Sequence, residues 1–175
     1  MNLRKVIQRF LVPSLVVTLI YLWKYGCKIS PRAEVELSKN LRIGAGTEIG
    51  SFTKIKATDG ELKIGKNVSI GTGCFISADS GGVEIGDFSM ISPNVSIVGN
   101  NYRYDKLNIP IAKQDKTSKG IVIGADVWIG VGCVILDGVT IGDHCIIAPN
   151  SVVTRPIKSG YVAQGSPAES IFERR

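Results

Sequence analysis

Residues 123–155 read IGADVWIGVGCVILDGVTIGDHCIIAPNSVVTR, and their reading decides the fold. Aliphatic residues recur every six positions: Ile123, Ile129, Ile135, Ile141, Ile147 and Val153. A stride of six matches neither the 3.6-residue period of a helix nor simple strand alternation. It fits a coil of short strands and tight turns, with one aliphatic side chain per turn directed inward. Working outward, the same stride runs through Ile43, Ile49 and Ile55, through Ile64, Ile70 and Ile76, and through Ile85, Ile91 and Ile97, with Leu37 extending it backwards. The breaks after Ile55 and Ile76 add three residues to one stride. The break after Ile97 adds twenty.

The position four after each aliphatic is mostly small or β-branched: Thr47, Thr53, Val68, Cys74, Ser89, Val95, Val127, Cys133, Val139, Cys145 and Ser151. Such residues suit a narrow interior in which each coil rests on the next. Stacked strands lie about 4.8 Å apart, so about five coils make a prism roughly 24 Å tall. Cys74, Cys133 and Cys145 fall on this small position and read as buried hydrophobes. Cys27 lies outside the repeat. No Cys-x-x-Cys pair occurs, so neither a zinc nor a redox motif is expected.

The chain has 175 residues and a formal charge of +6. Arg4, Lys5, Arg9, Lys24, Lys28 and Arg32 account for all of it, because residues 1–32 contain no acid and the remainder balances. The charge therefore belongs to the N-terminal segment, and no nucleic-acid partner is expected. From Phe10 to Trp23 that segment is almost wholly apolar, which is short for a span of about 20 residues. Three readings stay open: a helix packed on the domain or lying on an anionic membrane surface, a short anchor, or a cleaved signal. The organisation expected is a basic, apolar helical segment over 1–32, a coil domain over 33–167 and a helical cap over 168–175.

The units IGAGTEIGSFTKI, IGKNVSIGTGCFI and IGDFSMISPNVSI, with the stretch quoted first, resemble the hexapeptide repeat of left-handed parallel β-helix acetyltransferases. The resemblance covers about residues 37–167. It implies the left hand, acetyl-CoA as co-substrate, no metal, and a homotrimer with sites between adjacent prisms. The insertion over 98–122 resembles the loop of maltose, galactoside and xenobiotic acetyltransferases and of polysaccharide O-acetyltransferases. In those families a Gly-x-Asn-His-Arg-x-Asp stretch supplies the base that takes the acceptor's proton. Here the stretch is Gly99, Asn100, Asn101, Tyr102, Arg103, Tyr104, Asp105, so Tyr102 stands at the place of the histidine. A phenol with a pKa near 10 is a poor base at neutral pH.

The resemblance carries the catalytic role onto Tyr102, Asn101 and Asp105. It carries cofactor binding onto Trp128, Gly130 and Val131, and onto Pro149, Thr154 and Arg155 at the cofactor's far end. Gly165, Ser166, Pro167 and Ala168 match the turn that leads into a short terminal helix, with Glu169 where a cation is usual. The single histidine, His144, sits on a turn pointing out of the coil. One histidine cannot make the three-histidine zinc site of the carbonic anhydrases that share this fold.

These features imply an acetyl-CoA-dependent O-acetyltransferase acting on a sugar hydroxyl in bacterial surface-polysaccharide biosynthesis. It would work in the cytoplasm, at or near the inner membrane. Two alternatives stand beside it. One is a catalytically silent binding or assembly subunit. The other is an enzyme that uses Asp105 or His144 as its base, or an amine acceptor that needs less help.

Overall fold

A computed structural model of the chain describes residues 13–57 and 59–175. Strands of two or three residues alternate with turns and stack in parallel register on three faces. Face one stacks Lys28–Ile29, Glu48–Ile49, Ser69–Ile70, Met90–Ile91, Trp128–Ile129, Ile146–Ile147 and Tyr161–Gly165. Face two stacks Glu34–Val35, Lys54–Lys56, Phe75–Ser77, Ser96–Val98, Val134–Leu136 and Val152–Val153. Face three stacks Leu41–Ile43, Leu62–Ile64, Val83–Ile85, Ile121–Ile123 and Thr140–Ile141, with an isolated Ile141–Ile157 bridge below. The result is a left-handed β-helix of about six turns.

The turn count exceeds the five expected because the first coil begins at Lys28, inside the span assigned to the N-terminal segment. Ile29, Val35 and Leu41 are buried and are themselves six apart. Their phase differs from that of Leu37 and Ile43 because each upper strand of face three buries two side chains, Leu41 with Ile43 and Leu62 with Ile64. Passing that face shifts the stride by two residues. Leu37 is only partly buried against the core.

Isoleucine columns fill the interior. Ile55, Ile76, Ile97 and Ile135 are fully buried on face two. Each such side chain contributes about 1.5–3 kcal/mol by leaving water. Buried hydroxyls at the corners are paired with the next turn. Thr47 Oγ1 donates to Gly65 O at 2.8 Å and accepts from Val68 N–H, and Thr53 repeats the pattern with Gly71 and Cys74. All four cysteines are free and buried, including Cys27, which closes the first corner rather than lying apart from the coil.

The helix α1 (Ser14–Tyr25) lies at the first-coil end, with Val17 and Tyr21 as its buried residues. It stops at Gly26, whose φ of 65° lets its N–H reach Leu22 O while Cys27 N–H reaches Tyr21 O.

The other end departs from expectation. Ala168–Glu173 is a strand, not a helix, and it pairs antiparallel with Tyr161–Gly165. Eight residues are too few to nucleate a helix of their own. The last rung of face one offers a row of unpaired backbone groups, and the β-favouring Ile171 and Phe172 lie in the segment that satisfies them. The cap is therefore a hairpin.

Candidate active site

The long insertion leaves the coil after Val98 and returns at Ile121, at the corner between faces two and three. That corner is already the wide one. The two preceding turns cross it between Lys56 and Leu62 and between Ser77 and Val83. The loop extends an existing bulge, and side chains of the neighbouring turns stitch its base. Asn100 Nδ2 donates to Asp79 Oδ2 at 3.0 Å. Ser118 Oγ donates to Gly99 O at 2.6 Å and accepts from Gly81 N–H at 2.8 Å. The Asp137 carboxylate accepts from Lys119 and Gly120 N–H at 2.9 Å. Above this base Asn101–Tyr102 pairs antiparallel with Lys116–Thr117. At the tip, the Gln114 side-chain amide donates to Lys106 O and Ile109 O. This is a built hairpin, not a linker.

The three residues assigned a catalytic role come together here. Asn101, Tyr102 and Asp105 line one cleft of about 560 Å³ with Arg103, Tyr104, Thr117, Lys119, Leu136 and Asp137. Tyr102 is 45% exposed, and Lys116 Nζ sits 5.2 Å from its ring centroid, a cation–π contact. Asp105 is held by Arg103 through two parallel hydrogen bonds, at 3.0 and 3.1 Å. The Arg103 guanidinium keeps this carboxyl below the usual carboxylate range. A carboxylate so stabilised is a weak base. Lys119 and Asp137 escaped the sequence reading. The only sequence signal for Asp137 is the Asp-Gly turn interrupting VILDGVTI, which reads as ordinary turn chemistry.

The residues assigned to the cofactor stand elsewhere. Trp128 projects from face one, 43% exposed, and its Nε1–H donates to Ser92 Oγ at 3.1 Å. Met90 is its in-register neighbour on the rung above. Gly130 is buried at the next corner. Its N–H donates to Ile147 O, so this group is already used by the coil. A Cβ at Gly130 would lie 2.6 Å from Pro149 N, so only glycine lets the two turns approach so closely. Val131 and Pro149 are exposed on this corner, and Val131 O accepts from Asn150 N–H. Thr154 and Arg155 are exposed past face two, on the corner from which the loop springs two turns earlier. Face two, a rung roughly 10 Å wide, separates this corner from Val131 and Pro149. One chain thus gathers the loop residues but does not bring them against Trp128, Gly130 and Val131.

His144 is exposed at the corner before face one, as expected, but it is not solitary. Its Nδ1 lies 2.9 Å from Asp126 Oδ2, and its carbonyl accepts from Arg174 Nη1 at 2.7 Å. Both His144 and Asp126 hold positive φ. Among the described residues no group of three or more His, Cys, Asp or Glu could hold a metal ion.

Comparison with known proteins gives this geometry a family. A model described as bacterial transferase hexapeptide (six repeats) matches residues 120–155. A second, hexapeptide repeat of succinyl-transferase, matches residues 61–98. The dTDP-4-amino-4,6-dideoxy-D-glucose acyltransferase of Escherichia coli is 31% identical over 152 residues, covering 84% of this chain and 79% of that protein. The chain belongs to the hexapeptide-repeat acyltransferases. A probable acetyltransferase of Mycobacterium tuberculosis is 32% identical over 150 residues, 86% of this chain, which spans 49% of that longer protein. Among solved structures, AntD, an N-acyltransferase of Bacillus cereus seen with dTDP and 3-hydroxybutyryl-CoA, superposes with a TM-score of 0.77. It covers 96% of this chain and 91% of AntD at 19% identity, a likeness of fold.

Proposed function

We propose that this hexapeptide-repeat acyltransferase moves an acetyl group from acetyl-CoA to a sugar unit of a surface-polysaccharide precursor. The observation that carries this reading is the loop cleft. Asn101, Tyr102, Asp105, Lys119 and Asp137 give it hydrogen-bonding groups of both signs around an open space of sugar size. Trp128 and the Val131–Pro149 corner present a separate apolar wall suited to the pantetheine arm. The two parts lie on different faces, so the working site requires two copies, with the loop of one facing the wall of the next. A homotrimer of flat-sided prisms closes in this way.

Acyl transfer forms a bond from the acceptor atom to the thioester carbon and breaks the C–S bond. CoA leaves as a thiolate and takes up the proton that the acceptor sheds. A hydroxyl acceptor needs a base during attack, a contribution of about 10²–10⁴ in rate. In this cleft Asp105 is already committed to Arg103, and Asp137 to two backbone N–H groups. An amine brings its own lone pair and needs a base only to lose its proton afterwards. The committed state of both carboxylates favours an amino group on the acceptor, and the E. coli relative's name, which specifies a 4-amino sugar, agrees with it.

The decisive assay follows CoA thiol release from acetyl-CoA with a matched pair of nucleotide sugars, one amino and one hydroxy. Faster release with the amino sugar is expected. Faster release with the hydroxy sugar overturns the amine reading, and no release with any sugar identifies a silent subunit.

A further inference from the structure

The helix α1 is apolar apart from Ser14, Thr18 and Lys24, a pattern normally found where most of the surface is covered. Here Val17 and Tyr21 alone are buried. At 100° per residue, Leu15, Leu19 and Trp23 point away from that pair, with Val16 and Ile20 on one flank and Leu22 on the other, where it lines a groove with Thr18, Ile29 and Ile49. All six are exposed, and Trp23 is 89% exposed at the C-terminal end of the helix. The coil covers one flank and leaves this stripe facing outward.

The charge around the stripe selects what covers it. Lys24 is exposed in its last turn and Lys28 and Arg32 on the first coil that follows, Arg4, Lys5 and Arg9 precede it in the sequence, and no acid occurs before Glu34. Among the described residues, only Lys28 of these three exposed cations meets a carboxylate, that of Glu48 at 2.7 Å. Two copies meeting here would press one +6 segment on another. An anionic bilayer would neutralise both. Exposed tryptophan beside lysine is also the pairing that settles at a membrane–water interface. No helix among the described residues is long and apolar enough to cross a membrane. Twelve residues of helix span about 18 Å.

We propose that α1 and its basic flanks form a docking surface for an anionic lipid bilayer, with the helix lying in the plane of the headgroups and the prism standing on its first-coil end. This is independent of which acceptor the loop cleft takes.

Flotation of the whole protein with vesicles tests it. With phosphatidylcholine–phosphatidylglycerol vesicles (7:3) at low salt, most of the protein is expected to float. On pure phosphatidylcholine, or at 0.5 M NaCl, the bound fraction should fall at least fivefold. Leu19→Glu combined with Trp23→Glu should lower it at least tenfold at an unchanged melting midpoint. Should that pair fail to fold, Lys24→Glu, which removes no core contact, should lower it at least threefold. Wild-type protein that stays soluble with anionic vesicles overturns the proposal, as does equal flotation on neutral ones. So does a double variant whose only change is a smaller particle in light scattering, which would assign the stripe to a second copy.

Discussion

At the residue scale the chain's individuality lies in Tyr102. The resemblance sets it where the loop of sugar O-acetyltransferases carries a histidine, and in the structure Lys116 Nζ sits over its ring. If the phenol only shapes the cleft, Tyr102→Phe should keep acetyl transfer to an amino sugar within about threefold. Tyr102→His should raise transfer to a hydroxy sugar by about 10²-fold, the lower end of a base's worth. CoA release for both variants checks this. A loss above 10²-fold in Tyr102→Phe would instead make the hydroxyl essential.

A second residue-scale expectation concerns the thiols. Burial pushes Cys27, Cys74, Cys133 and Cys145 up, and it does the same to the Tyr21 phenol. Above about pH 8.5 the unfolded chain releases these thiol protons while the folded chain retains them. Stability is therefore full below that pH and falls as pH rises through the raised values. Melting midpoints between pH 7 and 10 should decline along the upper half of the range. The thiols should stay unreactive toward an aromatic disulfide until the protein unfolds.

At the scale of elements, each strand is only two or three residues long and owes its stability to the rungs above and below. Ile129 is fully buried and pairs with Ile91 on one side and Ile147 on the other. Ile129→Ala should cost about 2–5 kcal/mol, read from denaturant unfolding. The terminal hairpin is the element that the sequence misrepresented. The resemblance at Gly165, Ser166, Pro167 and Ala168 implied a short helix, whereas the open edge of face one decided for a strand. Removing residues 168–175 should expose that edge, lower the melting midpoint and promote association visible in light scattering.

At the scale of the whole molecule, the loop and the wall lie on different sides of one prism, so activity should depend on pairs of chains. Tyr102→Ala and Trp128→Ala could each impair the site from its own side. Mixed oligomers of the two, refolded together, should regain activity that neither homo-oligomer shows, because some interfaces would contain two intact partners. Failure to regain any activity, with mixed assembly confirmed by mass, would place the whole site on one chain.

The stride of six, with small residues at the corners, was sufficient to read the coil, its columns and the place of the long loop. Those features are local and repeat in register. The loop's resemblance to sugar acetyltransferases, not the stride, singled out Asn101, Tyr102 and Asp105, which are close in sequence and line one cleft. The sequence could not show Asp137 holding the loop's return, Asp126 beside His144, or the hairpin cap. Each depends on residues 17 or 18 positions apart or on an edge that exists only once the turns are stacked. Even the first coil was hidden by its phase, because the stride shifts when face three buries two side chains instead of one. Periodicity determines what lies inside a solenoid. What meets on its outside is set by which turn stands above which, and that was decided only by the tertiary structure.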